Sequence, residues 1–144
     1  MNRNKRLQLA LIFLLIFSSA NAFAQTRLKM GRISSIESSN NSKAYNRKSG
    51  ARGLYQITEI CLKDYNQFHK VKYTSQDLFI PEINEKIARW YLEKRIPQML
   101  RYYNIPVTTD NILWAYNAGI GKVVKGVMPD ETKDYIKKYN ESKI

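Results

Sequence analysis

The sequence has one cysteine, Cys61, and one histidine, His69. A single thiol rules out a disulfide within the chain. One histidine beside scattered acids leaves no set of side chains at metal-ligand spacing and no calcium loop. Cys61 and His69 could be paired on paper as nucleophile and base, but no second motif frames them, and burial is the ordinary fate of such a thiol. No cofactor is expected. Acids are scarce as well: 12 Asp and Glu stand against 24 Lys and Arg, for a formal net charge of +12. No apolar run reaches the about 20 residues that a membrane-spanning helix needs. Zinc-finger spacing and the aromatic signature of an RNA-binding sheet are both missing, so the charge does not by itself mean nucleic acid.

What is present begins with an address. Met1-Asn2-Arg3-Asn4-Lys5-Arg6 is a basic start, Leu7 to Phe17 is apolar apart from Gln8, and Ala22-Phe23-Ala24 ends the segment with small residues around one aromatic. That order is a secretory signal peptide over residues 1–24, with cleavage expected after Ala24 and export to the periplasm. No cysteine follows the cleavage site, so no lipid anchor is expected and the mature chain keeps no stable hold on the membrane. Residues 25–144 suit one domain with one core. Only three of the positive charges leave with the leader, so the mature chain stays strongly basic and favours anionic partners.

Strand signals are few, and apolar spacing of three and four recurs. Residues 25–31 read as a polar, basic, mobile tail. A short helix is expected over residues 32–37, carrying Ile33 and Ile36. Ile57 to Phe68 reads as a helix capped by Thr58. Pro81 to Ile96 is the clearest helix, opened by proline in its first turn, with Ile83, Ile87, Trp90, Tyr91 and Lys94 on one face. Pro97 is expected to end or kink it, with a restart over residues 98–103. Thr109 is the expected cap of a helix over residues 111–117, and residues 131–138 form the last helix. No internal repeat or linker appears.

The stretch Glu37 to Ile57, ESSNNSKAYNRKSGARGLYQI, differs from the rest. A lone carboxylate closes a short helix, and a polar loop leads to Gly50-Ala51-Arg52-Gly53, whose glycines allow close backbone approach. At a helix C-terminus the dipole disfavours the anion and raises the carboxyl pKa.

Three stretches occur in order: Glu37-Ser38 with GARGLYQI, then DLFIPEINEKIARWYL, then AYNAGIGKV followed by ETKDY. Together they resemble the lytic transglycosylases, the goose-lysozyme-like SLT family that cleaves peptidoglycan. The resemblance covers almost all of residues 25–144. It implies a mainly α, lysozyme-like single domain with a substrate cleft and few or no strands. It implies that Glu37 is the catalytic acid and base, that Gln56 faces the sugar cleft, and that Tyr116 and Asn117 end a helix beside Glu37. Tyr135 matches a tyrosine whose hydroxyl approaches the same carboxylate. The family's usual Ser nine residues after the Glu is replaced by Asn46, with Ser49 three residues further on in a loop that carries one extra residue, so either could contact the leaving sugar. Met is usual where Tyr55 stands, and Gly where Ala88 stands.

What the resemblance implies for chemistry is a one-carboxylate cleavage of the MurNAc–GlcNAc bond that yields a 1,6-anhydro sugar. The implied partner is the peptidoglycan strand, met by a monomer and, by family analogy, beside an envelope-spanning secretion or conjugation machine. Two alternatives stand at this stage: a muramidase that hydrolyses the same bond with a second acid, and a non-catalytic basic protein that binds the wall. Glu59 and Asp64 are the acids nearest the motif, and neither sits in a motif of its own.

Overall fold

A computed structural model describes residues 27–142. The leader expected over residues 1–24 lies outside the described residues. Among the described residues no helix is long and apolar enough to cross a membrane. The fold is mainly helical, and among the described residues there is no sheet; pairing there is limited to the isolated antiparallel bridges Tyr45–Arg52 and Arg52–Ile57.

Helix α1 spans Met30–Ser38. Nine residues are too few for a stable isolated helix, so its partners matter. The Lys29 N–H donates to the Tyr139 hydroxyl (2.9 Å), and the Arg32 guanidinium donates to the Tyr139 carbonyl (2.9 Å) and lies over that ring. Leu28 and Met30 are buried, each about 5 % exposed or less. The tail expected over residues 25–31 is therefore anchored from residue 28 onward, because its two apolar side chains find the core. After Ser38 the chain turns left-handed at Ser39 (φ 54°) and Asn40 (φ 61°), whose N–H groups return to Ser35 and Ser34. This is the usual way to close a helix on its last carbonyls. It fixes Glu37 in the final turn.

Helix α2, Glu59–His69, begins at Thr58, whose hydroxyl accepts from the Cys61 N–H (3.4 Å). It buries Cys61, Leu62 and Tyr65. A 3₁₀ turn at Asp77–Phe79 leads into α3, Pro81–Trp90. The rod does not end at Pro97. It passes through a π-helical segment, Tyr91–Arg95, and continues as α4, Ile96–Tyr102. Proline clashes with the carbonyl four residues back in an α-helix; the wider π turn before Pro97 removes that conflict, so the helix changes type instead of breaking. The extra residue also advances the phase. Lys94 rotates out to solvent, while Leu92 and Ile96 take the buried side.

Helix α5, Thr109–Ala118, is capped by Thr108, one residue before the expected Thr109, through the Asn111 N–H (3.2 Å). Gly119 (φ 84°) then separates α5 from α6, Ile120–Val124. Helix α7, Asp130–Glu141, buries Thr132, Tyr135, Ile136 and Tyr139 on one face. Helix α5 is central and packs against α4, α6 and α7. The fully buried Ile33, Leu78, Ile87, Leu92, Ile96, Leu100 and Leu113 form the heart of the core.

Candidate active site

The loop between α1 and α2 is fixed by hydrogen bonds to side chains. Asn84, fully buried on α3, accepts from the Tyr55 N–H (2.9 Å) and donates to the carbonyls of Arg52 (2.9 Å) and Leu78 (2.8 Å). Gly53 (φ 78°) lies against the same amide; a Cβ there would collide with the Leu78 carbonyl and the Asn84 side chain. The Ser38 hydroxyl donates to the Leu54 carbonyl (2.8 Å), and the Tyr116 hydroxyl to the Tyr55 carbonyl (2.6 Å). Helices α1, α3 and α5 thus hold residues 52–55 from three sides.

The fixed loop forms one wall of a cleft of about 620 Å³. Glu37, Ser49, Gln56, Tyr116, Asn117 and Tyr135 all line it, and so does Asn46. Gln56 sits at φ 49°, a left-handed conformation that costs a non-glycine residue on the order of 1 kcal/mol. Its amide donates to the carbonyls of Gly53 (3.0 Å) and Ala44 (3.4 Å), so the strained residue is held from behind while facing the cleft. Asn46 Oδ1 accepts from the N–H groups of Lys48 (3.0 Å) and Ser49 (3.2 Å), closing an Asx turn. The Ser49 hydroxyl accepts weakly from the Ala51 N–H (3.3 Å).

Burial pushes the Glu37 carboxyl up to about 7. The Tyr135 hydroxyl pulls the other way, and the Glu131 carboxylate adds to the rise. The Tyr135 oxygen is shut off from solvent and faces Glu37 closely enough to act on its ionisation, yet among the described residues no acceptor meets it in hydrogen-bonding geometry. Both tyrosine hydroxyls are held in the protonated form, chiefly by burial and then by the nearby Glu37 charge.

The sequence of this chain matches the Transglycosylase SLT domain over residues 17–139. The chain belongs to that family. No curated protein matches it. As an SLT domain it has the lysozyme-like, all-α architecture, and the family acts on glycosidic bonds of peptidoglycan.

The cleft of this SLT domain also contains residues that the sequence reading passed over. Glu131 and Lys138 line it from α7 on either side of Tyr135, and Tyr91 lines it from the first position of the π segment. Glu131 is the first of the two acids of ETKDY and stands four residues before Tyr135, a helical spacing that would have found it. Asn84 is the one polar residue at a core position of α3, which is its only signal. Glu59 and Asp64 are bound elsewhere, to the Ser75 hydroxyl and to Arg95 (2.8 Å). Cys61 touches the cleft, but burial pushes its thiol well above the ordinary range, the opposite of an activated nucleophile.

Proposed function

We propose that this chain is a peptidoglycan lytic transglycosylase that cleaves the MurNAc-β-1,4-GlcNAc bond without water. The supporting observation is a sheltered Glu37 whose carboxyl, raised to about 7, keeps a substantial protonated fraction, about half, at neutral pH while lining an open cleft. Glu37 gives its proton to the glycosidic oxygen as the C1–O bond breaks. The acetamido oxygen of the same MurNAc bonds to C1 and carries the positive charge. The Glu37 carboxylate then takes the proton of the C6 hydroxyl, O6 displaces the acetamido oxygen at C1, and 1,6-anhydroMurNAc leaves. Glu37 ends protonated, ready for another turnover.

Tyr135 supplies the donor that steadies Glu37 while it is anionic; among the described residues its hydroxyl has no other partner, and such bonds tighten once substrate is bound. Tyr116 keeps the wall beside Glu37 dry and anchors the loop. Gln56 and Asn117 offer amides to the sugars. Ser49 and Asn46 are both candidates for the leaving sugar, since the turn uses neither the Ser49 hydroxyl hydrogen nor the Asn46 Nδ2 hydrogens.

Glu131 favours a second reading. It is an acid in the same cleft and could activate water, as in a two-carboxylate muramidase. The mass of products released from purified peptidoglycan tests both. Anhydro ends, lighter by one water, are expected; reducing ends would establish the muramidase, and wall binding with no release would establish a non-catalytic binder. Under the first reading the chain is a periplasmic monomer that opens the wall locally for an envelope-spanning machine.

A further inference from the structure

Thr132 sits in the first turn of α7 and is 1 % exposed. A hydroxyl at that depth needs a partner. It donates to Asn117 Oδ1 at 2.6 Å. Asn117 ends α5 and lines the cleft, as do Glu131 and Tyr135 on either side of Thr132. An asparagine amide has nearly the same shape at both ends, but one end accepts and the other donates. With the Thr132 hydroxyl acting as the donor of that bond, the oxygen end is occupied and the cleft receives the other. With Oδ1 taken, the end left over is Nδ2, which has no protein acceptor among the described residues.

We infer that Thr132 is a positioning residue: it orients the Asn117 amide so that the cleft presents an N–H donor to an acceptor oxygen on the bound strand. On an amino-sugar strand the strongest neutral acceptor is the acetamido carbonyl. The inference rests on the glycan-cleaving reading of the cleft.

The test measures muropeptide release from purified sacculi by the mature chain. Thr132→Val keeps the shape and removes the donor. It is expected to lower kcat/KM roughly tenfold, the size of one hydrogen bond to substrate, with the melting temperature nearly unchanged. Thr132→Ser should restore most of the loss. Asn117→Ala should cost a similar factor, and Thr132→Val added to it should cost nothing more, because both changes remove the same contact. An undiminished effect of Thr132→Val in the Asn117→Ala background would overturn the proposal and make Thr132 a packing residue. Asn117→Asp gives a reading even if the Val variant does not fold. It still accepts from Thr132 but offers the cleft no N–H, so release should fall at least as far as with Asn117→Ala; wild-type release would overturn the proposal. If the unaltered protein binds sacculi but releases nothing, the lytic reading fails on its own. The same cycle is then read on sacculus affinity, with the same non-additivity expected and full additivity overturning it.

Discussion

A carboxyl that must donate a proton near neutral pH is expensive to keep in a folded protein, and Glu37 makes that cost measurable. Its folded pKa, about 7, lies above the 4.5 of a free glutamate. The unfolded chain therefore loses this proton first as pH rises. Stability from keeping Glu37 neutral is full below about 4.5 and is lost as pH climbs through about 7. The difference amounts to about 3 kcal/mol at most, at about 1.4 kcal/mol per pKa unit. Glu37→Gln should abolish muropeptide release, keep sacculus binding, and raise the melting temperature by several degrees at pH 8 but not at pH 4. An equal effect at both pH values would show that the carboxyl is not held neutral by the fold. Tyr135→Phe should cut turnover on the order of tenfold to a hundredfold, as loss of one oriented donor to a buried anion does. Because the hydroxyl lowers the Glu37 pKa, its loss should also move the alkaline limb of the kcat/KM profile to higher pH. A limb that stays in place would reduce Tyr135 to packing.

Between residue and cleft stand the helices that carry the loop, and the decisive contact there is between elements distant in sequence. Asn84 holds residues 52 and 55 with one hydrogen bond each and ties them to Leu78 with a third, and Gly53 leaves the space that brings them within reach. Asn84→Ala strands buried backbone groups and should destabilise the domain by about 3 kcal/mol or more. Gly53→Ala meets both a positive φ and a collision, and should cost at least as much. Thermal unfolding checks both, and a loss under 1 kcal/mol in either would mean that the loop is held otherwise. The amphipathic spacing of α2, α3 and α7 was readable in the sequence, as was proline at the start of α3. What could not be read were features set across the fold. The π turn before Pro97 changes which face Lys94 takes, and periodicity alone gives no notice of an inserted residue. Tyr139 tethers residues 28–32 from the far end of the chain, so a segment that looks like a tail is pinned. Glu37, the two tyrosines and the glutamine could be singled out because motif order carried them. Thr132 and Asn84 act only through what they hold, and their spacing has no period.

Seen whole, the domain separates two kinds of electrostatics. The domain keeps all but three positive charges of a chain whose formal net charge is +12, spread over exposed positions such as Lys43, Arg47 and Lys48 on the long loop and Lys133 and Lys137 on α7. Glu37 and the tyrosine hydroxyls are sheltered inside the cleft. A wall polymer bearing carboxylates would be drawn in by the first set and processed by the second. Salt acts on them differently. At an ionic strength of about 1 M the screening length falls to about 3 Å, which removes attraction between solvated charges but barely reaches a desolvated group. The apparent KM for sacculi should therefore rise on the order of tenfold between 0.05 M and 1 M salt, while kcat at saturating wall and the alkaline limb set by Glu37 stay nearly constant. Reversing charge at Arg47 and Lys48 together should reproduce part of the KM rise at low salt and flatten its further dependence. If salt instead lowered kcat and left KM alone, the surface charge would have no part in capturing the wall, and the acid in the cleft would be open to the same ions as the outside of the protein.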